Sequence, residues 1–542
     1  MNSVVHRLLG MLLALCAGPA FGLQVSVHTA QGIEHWRLPA NAPAQRLAAA
    51  EVERAPLGSL WKLLVQAYLL DRGQQPPDYR CRGGDPEEVY CCAAGASIDA
   101  EEALLRSCGR YFEADRLGID AADWGDYWRA LGAPPALTRL DALQPQTQVE
   151  VAALLDLLQR LPARAELQRV LAAASLQQPP AVFEALGAGL RIKTWSWHRG
   201  EDVHDRIGGF AGWDSQGRAL WAQGAGTSRG LLLAHAAALA RWLPPPASLD
   251  AGGCVEVELF ARYPIAAIEP AAAAGALHGR YRLQFEHGSR FEIESRGEIV
   301  LDAGPRLIAR IPREDYVARV VEREGALQPL AAARALAVLA RSYLQQQAQP
   351  GPSCLRIEDS SHTQRVLAQP PSLQARQIAA FSEGLVLAGM PVRYHLGRSG
   401  PGVFGWQPAV AAARKGAGTL DLLREAFPQA DLARWEAAAS ACEALPAARD
   451  WLLAQLPRWR PQLRSEPGYA ERRDFEVCRL QGGHPHVDRA RARIHVRGVR
   501  SLQDRLDLAH EYLHLGFAAH PHGEDEAFIE AWARRLVLGV AD

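Results

Sequence analysis

The string His510-Glu511-Tyr512-Leu513-His514 carries the clearest chemistry in the chain. On a helix, two imidazoles at i and i+4 lie one turn apart on one face, where both can reach one Zn²⁺. Glu511 then sits where it can deprotonate a metal-bound water. Apolar residues at Leu502, Leu506 and Ala509 predict an amphipathic helix leading into the motif. The bland alternative is a surface helix with two unrelated histidines.

A catalytic zinc needs a third protein ligand. His520, His522 and Asp525 follow His514, and Glu530 is a further option on the next predicted helix, Glu526 to Val537. His520 has the spacing used by metzincins, but that family places Gly where this chain has Phe517, and the nearby glycine is Gly516. Gly523-Glu524-Asp525-Glu526-Ala527-Phe528 resembles the Gly-Thr-x-Asp-Tyr segment of aspzincin metallopeptidases, whose Asp is the third ligand. That resemblance implies His510, His514 and Asp525 around the metal. Asp525 also reads as the N-cap of the following helix, and one Asp can serve both roles. His484 and His486 flank Pro485 and read as surface residues, and Tyr512 reads as core.

A second chemical pattern lies near the start. Gly58-Ser59-Leu60-Trp61-Lys62 opens a predicted helix, which puts Ser59 and Lys62 on one face. A lysine there can accept or shuttle the serine proton. The pair resembles the Ser-x-x-Lys motif of penicillin-binding transpeptidases and serine β-lactamases. Ser107-Cys108-Gly109 before Tyr111-Phe112 resembles that family's second motif, and Lys193-Thr194-Trp195 its third, on an edge strand. Two departures stand out. Gly109 replaces an Asn that orients the proton shuttle, and Trp195 replaces a Gly where an indole should obstruct the acyl donor. These departures favour a module that binds peptide without turning it over. As a purely structural residue, Ser59 would be an N-cap.

The third pattern is Glu314-Asp315-Tyr316-Val317-Ala318-Arg319-Val320-Val321-Glu322-Arg323-Glu324, then Ala335 to Tyr343, Asp359 to Gln364 and Ala380 to Leu387. It resembles the stage II sporulation protein D family, which cleaves peptidoglycan glycan strands or stimulates amidases, across roughly residues 254 to 406. Glu324 falls at that family's acid position. A lytic glycosidase needs one carboxylic acid to protonate the leaving oxygen, and partial burial at a helix end raises a Glu pKa for that task. Arg319 stands where the family has Gly, and Leu336 where it often has Gln. The competing reading of Glu324 is a solvated Glu paired with Arg323 or a nearby Arg.

These sites must be held by several cores, since 542 residues exceed what one core fills. With 59 basic and 60 acidic side chains, nothing argues for nucleic acid by bulk attraction. Arg7, the apolar run Leu8 to Ala17 and Ala20-Phe21-Gly22 read as a cleaved signal peptide at 1–22. No later apolar run is long enough for a membrane span. The mature chain would carry eight cysteines in an oxidising compartment. Cys81, Cys91, Cys92 and Cys108 are expected to pair among themselves in unreadable order, and Cys254, Cys354, Cys442 and Cys478 to be paired or free. Alternation predicts strands at Val255–Leu259, Tyr281–Phe285 and Phe291–Ile293, and a strand pair near Asp474–Val477 and Ala492–Val496. Arg313 to Gln347 reads as a long helical run, and the chain is Ala-rich and helical after Trp406.

The reading is a multidomain α+β protein. A serine transpeptidase-like α/β domain spans 23–249, a sporulation-protein-D-like α+β domain 250–406, and a small α-rich zincin-like domain 407–542. The arrangement resembles bacterial periplasmic proteins of the DUF2300 type. It implies an exported protein acting on peptidoglycan or its stem peptides through Zn²⁺, with Glu511, Glu324, Ser59 and Lys62 catalytic and Ser107, Lys193 and Thr194 binding substrate. The alternatives are a secreted zinc metalloprotease with wall-binding N-terminal domains and a non-catalytic scaffold or amidase activator.

Overall fold

The computed structural model describes all residues except 1–21, 50–52, 84, 86–87, 89, 93, 199–205, 250–252, 305, 401, 437–441, 443, 480–484, 490–491, 524 and 540–542. The leader read at 1–22, Gly22 apart, and His484 lie outside the described residues. The chain divides into two compact units, Met1–Leu249 and Asp250–Asp542.

The first unit is built on a six-stranded sheet, in the order Gln45–Leu47, Gly32–Leu38, Leu23–Thr29, Ala219–Ala225, Arg206–Trp213 and Arg191–His198. Every neighbouring pair is antiparallel. Apolar layers cover both faces, so Arg206–Trp213 is buried almost throughout, with Phe210 in one layer and Ala211 in the other. The helix Trp61–Asp71 runs through the larger layer and is buried from Lys62 to Leu69. An all-round apolar helix of this kind is a core helix. The third motif lies on Arg191–His198, the last strand of the sheet, as its resemblance implied.

The second unit holds a seven-stranded sheet, in the order Ile265–Glu269, Gly275–Phe285, Arg290–Leu301, Leu307–Pro312, Cys254–Leu259, Cys354–Glu358 and Gln349–Pro350. The predicted strands fall inside three of these. One pairing is parallel, between Cys254–Leu259 and Cys354–Glu358. The helical run from Arg313 divides into Arg313–Glu324 and Leu330–Gln347. Gly325 leaves the first in extended backbone, and Pro329, which has no N–H to donate, stands at the N-cap of the second. Arg341 is fully buried on the second of these helices. It grips the Glu314 carboxylate at 2.9 and 2.6 Å and donates to the Leu385 and Ala379 carbonyls.

Residues just after 406, read in the sequence as the start of the third block, pack into this same body. Ala409, Leu422, Leu423 and Phe427 share a core with Val338 and Leu339, and Asp431–Arg434 pairs with Leu385–Ala388. A separate core gathers only from Leu445 onward. It joins the helices Pro446–Leu463, Leu502–Gly516 and Glu526–Leu538 to a small sheet of Glu476–Arg479, Arg493–Val496 and His486–Asp488.

The eight described cysteines form four disulfides, Cys81–Cys92, Cys91–Cys108, Cys254–Cys354 and Cys442–Cys478. The first cluster thus pairs within itself, and the scattered four are paired as well.

Candidate functional site

The helix Leu502–Gly516 begins with a reciprocal cap: Ser501 Oγ accepts from Asp504 N, and the Asp504 carboxylate accepts from Ser501 N. Its buried face is Leu508, Ala509, Tyr512 and Leu513, whereas Leu502, expected on that face, is exposed. Tyr512 is core as expected, its hydroxyl bonded to the Arg472 backbone and 3.2 Å from that of Tyr469.

His510 and His514 face one another, with their Nε2 atoms 3.2 Å apart. Ligand atoms of His510, His514 and Glu526 all lie within 4.8 Å of one another. Two imidazoles and one carboxylate are the donor set of a catalytic zinc with an open position, so the residues fit the ion. The supporting contacts fit too. His510 Nδ1 is 3.2 Å from Glu530 Oε2, and His514 Nδ1 is 2.9 Å from the Gly523 carbonyl. Metal-ligating histidines usually donate their second nitrogen in this way, which fixes tautomer and ring orientation.

Asp525 is outside this set. Its Oδ1 accepts from the Ala527 and Phe528 backbone N–H groups, so its carboxylate is spent on capping Glu526–Leu538. The carboxylate that meets the two histidines is not the Asp525 that the resemblance implied but its neighbour, Glu526. His520 also lies elsewhere, its ring stacked on Phe528 with centroids 4.7 Å apart. Glu530 supports His510 and is not a member of the three-residue set. His486, expected at the surface, is half-buried and stacks on His495; it is not a member of the set.

Hydrogen bonds from His510 and then His514 hold the Glu526 carboxylate well below the usual range. Burial opposes charge on His510, but its bonds to Glu526 and Glu530 and the charge of Glu511 carry its pKa above the ordinary imidazole value. Glu511 is buried, which raises its pKa against the pull of the two histidines. A carboxylate so placed is suited to accept a proton near neutrality.

Glu324 ends the helix Arg313–Glu324 and is half-buried. Its Oε2 accepts from the Tyr394 hydroxyl at 2.5 Å, and its Oε1 from the Arg365 backbone N–H at 2.7 Å. Gln364 donates to the Tyr394 oxygen at 2.9 Å and accepts from Tyr316 at 2.5 Å. No ion pair to Glu324 exists among the described residues, so the solvated-pair reading does not describe it. Burial raises its pKa although both donors pull the other way. The two departures from the family pattern have structural roles. Buried Arg319 donates to the Leu367 and Ala368 carbonyls, and Leu336 fills the space against Gly325, where any Cβ would lie 2.7 Å from it.

In the first unit, Ser59, Lys62, Ser107, Lys193, Thr194 and Trp195 line one cleft of about 1080 Å³. Ser59 is not an N-cap: the helix is entered through Leu60, and no side chain caps it. Lys62 Nζ donates to the Ser107 carbonyl at 2.8 Å and its Oγ at 3.3 Å. Ser107 adopts left-handed backbone at φ 68°, which turns that carbonyl toward the amine. Lys193 is buried, and burial together with the nearby Lys62 charge brings its pKa down to about 7. Trp195 does not stand out over the strand. It is 2% exposed, stacks on Trp221 and lies over Gly209, where a Cβ would come within 2.5 Å of its ring. The expected obstruction is therefore a packed floor. Gly109 lines the same cleft and offers no side-chain amide.

Sequence reasoning missed Glu526, Tyr394, Gln364 and Tyr316. Glu526 and Glu530 repeat the i, i+4 spacing of His510 and His514, a signal that could have found both. Tyr394 arrives on the short strand Arg393–His395, far along the chain from Glu324, and no local pattern marks it.

Comparison with known proteins first defines a class. The family model described as "Predicted secreted protein (DUF2300)" matches residues 83–203 and 402–522, and "Stage II sporulation protein" (SpoIID), a cell-wall-related domain, matches 302–381. Among the described residues no helix is long and apolar enough to cross a membrane. The particular family follows from a close relative. Over 540 residues the chain is 44% identical to "Uncharacterized protein YfaQ" of Escherichia coli (strain K12), covering 97% of this chain and 98% of that one. The chain belongs to that family, and it is a multidomain protein of mixed helix and strand. Solved structures similar to it include a class D β-lactamase from Bacillus subtilis, 14% identical over 41% of this chain and 91% of that one, TM-score 0.28. Another is a class A β-lactamase reconstructed as the last common ancestor of Gram-negative bacteria, 18% identical over 43% and 98%, TM-score 0.28.

Proposed function

We propose that this is an exported, periplasmic protein that hydrolyses peptidoglycan, with a zinc-dependent peptide-cleaving centre and a glycan-directed acid in its second unit. The observation that carries the reading is the convergence of His510, His514 and Glu526 beside buried Glu511. Zn²⁺ held by those three residues would act as a Lewis acid toward a peptide carbonyl. Glu511 would take the proton from the attacking water and pass it to the leaving amine. Glu530 and the Gly523 carbonyl would keep the two rings oriented. Glu324, protonated through burial, would donate to a glycosidic oxygen, with Tyr394 holding the carboxyl in place. The SpoIID match over Glu324 favours a cell-wall glycan as its target.

Metal analysis of the purified chain and digestion of purified sacculi test this. The reading expects stoichiometric zinc lost in His510→Ala, and sacculi solubilised by wild type but poorly by Glu511→Gln and Glu324→Gln. A wild-type chain without zinc that leaves sacculi intact would favour the scaffold reading.

For the first unit the reading is a cleft that binds stem peptides, since Lys62 and Lys193 place two amines where a peptide carboxylate can bind. Ser59 acylation is a second reading, favoured by the inward packing of Trp195, which leaves the serine facing the cleft. Labelling by a fluorescent penicillin, lost in Ser59→Ala, would establish it.

A further inference from the structure

The Glu526 carboxylate presents its two oxygens to different partners. Oε2 lies 3.1 Å from His510 Nε2, whereas Oε1 lies 2.8 Å from Arg393 Nη2 and 3.8 Å from His514 Nε2. Glu530 holds His510 from within the helical hairpin, and His514 Nδ1 meets the Gly523 carbonyl and, at 3.2 Å, Arg489 Nη2. Arg393 instead comes from outside the hairpin, on the strand Arg393–His395, which runs parallel to Val403–Gly405. We propose that Arg393 is a positioning residue of the metal centre and that it ties this centre to the Glu324 site; the inference rests on the metal reading above.

Glu526 stands in the first turn of its helix and is about half exposed, so nothing in its own burial fixes its rotamer. A charge-assisted bond from a guanidinium to one carboxylate oxygen does so, and leaves the other, Oε2, directed at His510. Arg393 is a cation near the cluster, and direct repulsion of the metal acts against this role. Solvent exposure of the pair weakens that repulsion, whereas the orienting bond is short-range and survives it. The strand then carries the effect further. Tyr394, the next residue, gives its hydroxyl to Glu324. Coupling between bound sites is reciprocal: a metal that holds Glu526 in place steadies the strand, and a steadied strand favours the metal.

The test is zinc affinity of the full-length chain, measured by competition with a chromophoric chelator. An ion pair this exposed adds little to the fold, so Arg393→Ala is expected to stay folded. It should bind zinc about 10- to 100-fold more weakly than wild type, and Arg393→Lys should recover part of the loss. Zinc should also slow amide exchange at 393–395 and 403–405 in wild type and not in Arg393→Ala. Wild-type or tighter affinity in Arg393→Ala, with binding lost in Glu526→Ala, overturns the role given to Arg393. A wild-type chain that binds no zinc overturns the metal reading itself, and this inference with it.

Discussion

His510 Nδ1 lies 3.2 Å from Glu530 Oε2, and the other oxygen of Glu530 is pinned by Arg534 at 2.6 Å. The carboxylate is thus engaged on both sides. On the zinc reading its bond to Nδ1 would fix the imidazole tautomer. Glu530→Gln keeps the shape and removes the charge, and it should weaken zinc binding about 10- to 100-fold. Isothermal titration of the variant checks this; unchanged affinity would leave Glu530 without a role in orienting His510.

Asp525 and Glu526 are chain neighbours with different duties. Asp525→Ala should lower stability by about 1 kcal/mol through loss of the cap, with zinc stoichiometry intact. Glu526→Gln should lose zinc and keep its melting temperature in the absence of metal. The reverse pattern would return the third-ligand role to Asp525.

Glu324 is raised by burial and lowered by the Tyr394 hydroxyl bonded to it. Removing that donor in Tyr394→Phe raises the carboxyl further, so the acid stays protonated to higher pH. The alkaline limb of sacculus digestion should therefore move upward in Tyr394→Phe. A limb that stays put, or moves down, would mean that Glu324 is not the group being titrated.

Lys193 has a folded-state pKa of about 7, lowered by burial and then by Lys62. The unfolded amine titrates near 10.4. Between these values the unfolded chain holds the extra proton, so this group's contribution makes the fold more stable as pH rises, by up to about 1.4 kcal/mol per pH unit. Below pH 7 the cost of the buried amine is felt in full. Lys193→Met should therefore be more stable than wild type at pH 6, with the difference narrowing toward pH 9 in urea denaturation. A pH-independent difference would contradict the assignment.

How legible these sites were follows from how local they are. The helix carrying His510 and His514 could be read directly, because i, i+4 spacing is a property of adjacent turns. Asp525 and Glu526 were harder to tell apart, because capping and ligation both favour an acid at a helix start, and only the i, i+4 repeat of Glu526 and Glu530 points to the second. Glu324 could be placed from its pattern, yet Tyr394 and Arg393 reach their partners on a strand of three residues with no periodicity to read. Trp195 was expected to block a cleft because sequence shows bulk and not direction; Gly209 opposite it supplies the space that lets the ring lie down. Past Trp406 the Ala-rich sequence has no punctuation, and packing against Val338 and Leu339 decides which core those residues join.

The two centres of the second unit differ in how their parts are inherited. His510, His514 and Glu526, with the Glu530 carboxylate behind them, lie on two consecutive helices. A single short stretch of gene encodes these four side chains, and recombination could carry them from one scaffold to another, leaving Arg393 behind. The Glu324 network draws on Tyr316, Gln364 and Tyr394, and could travel only with its entire body.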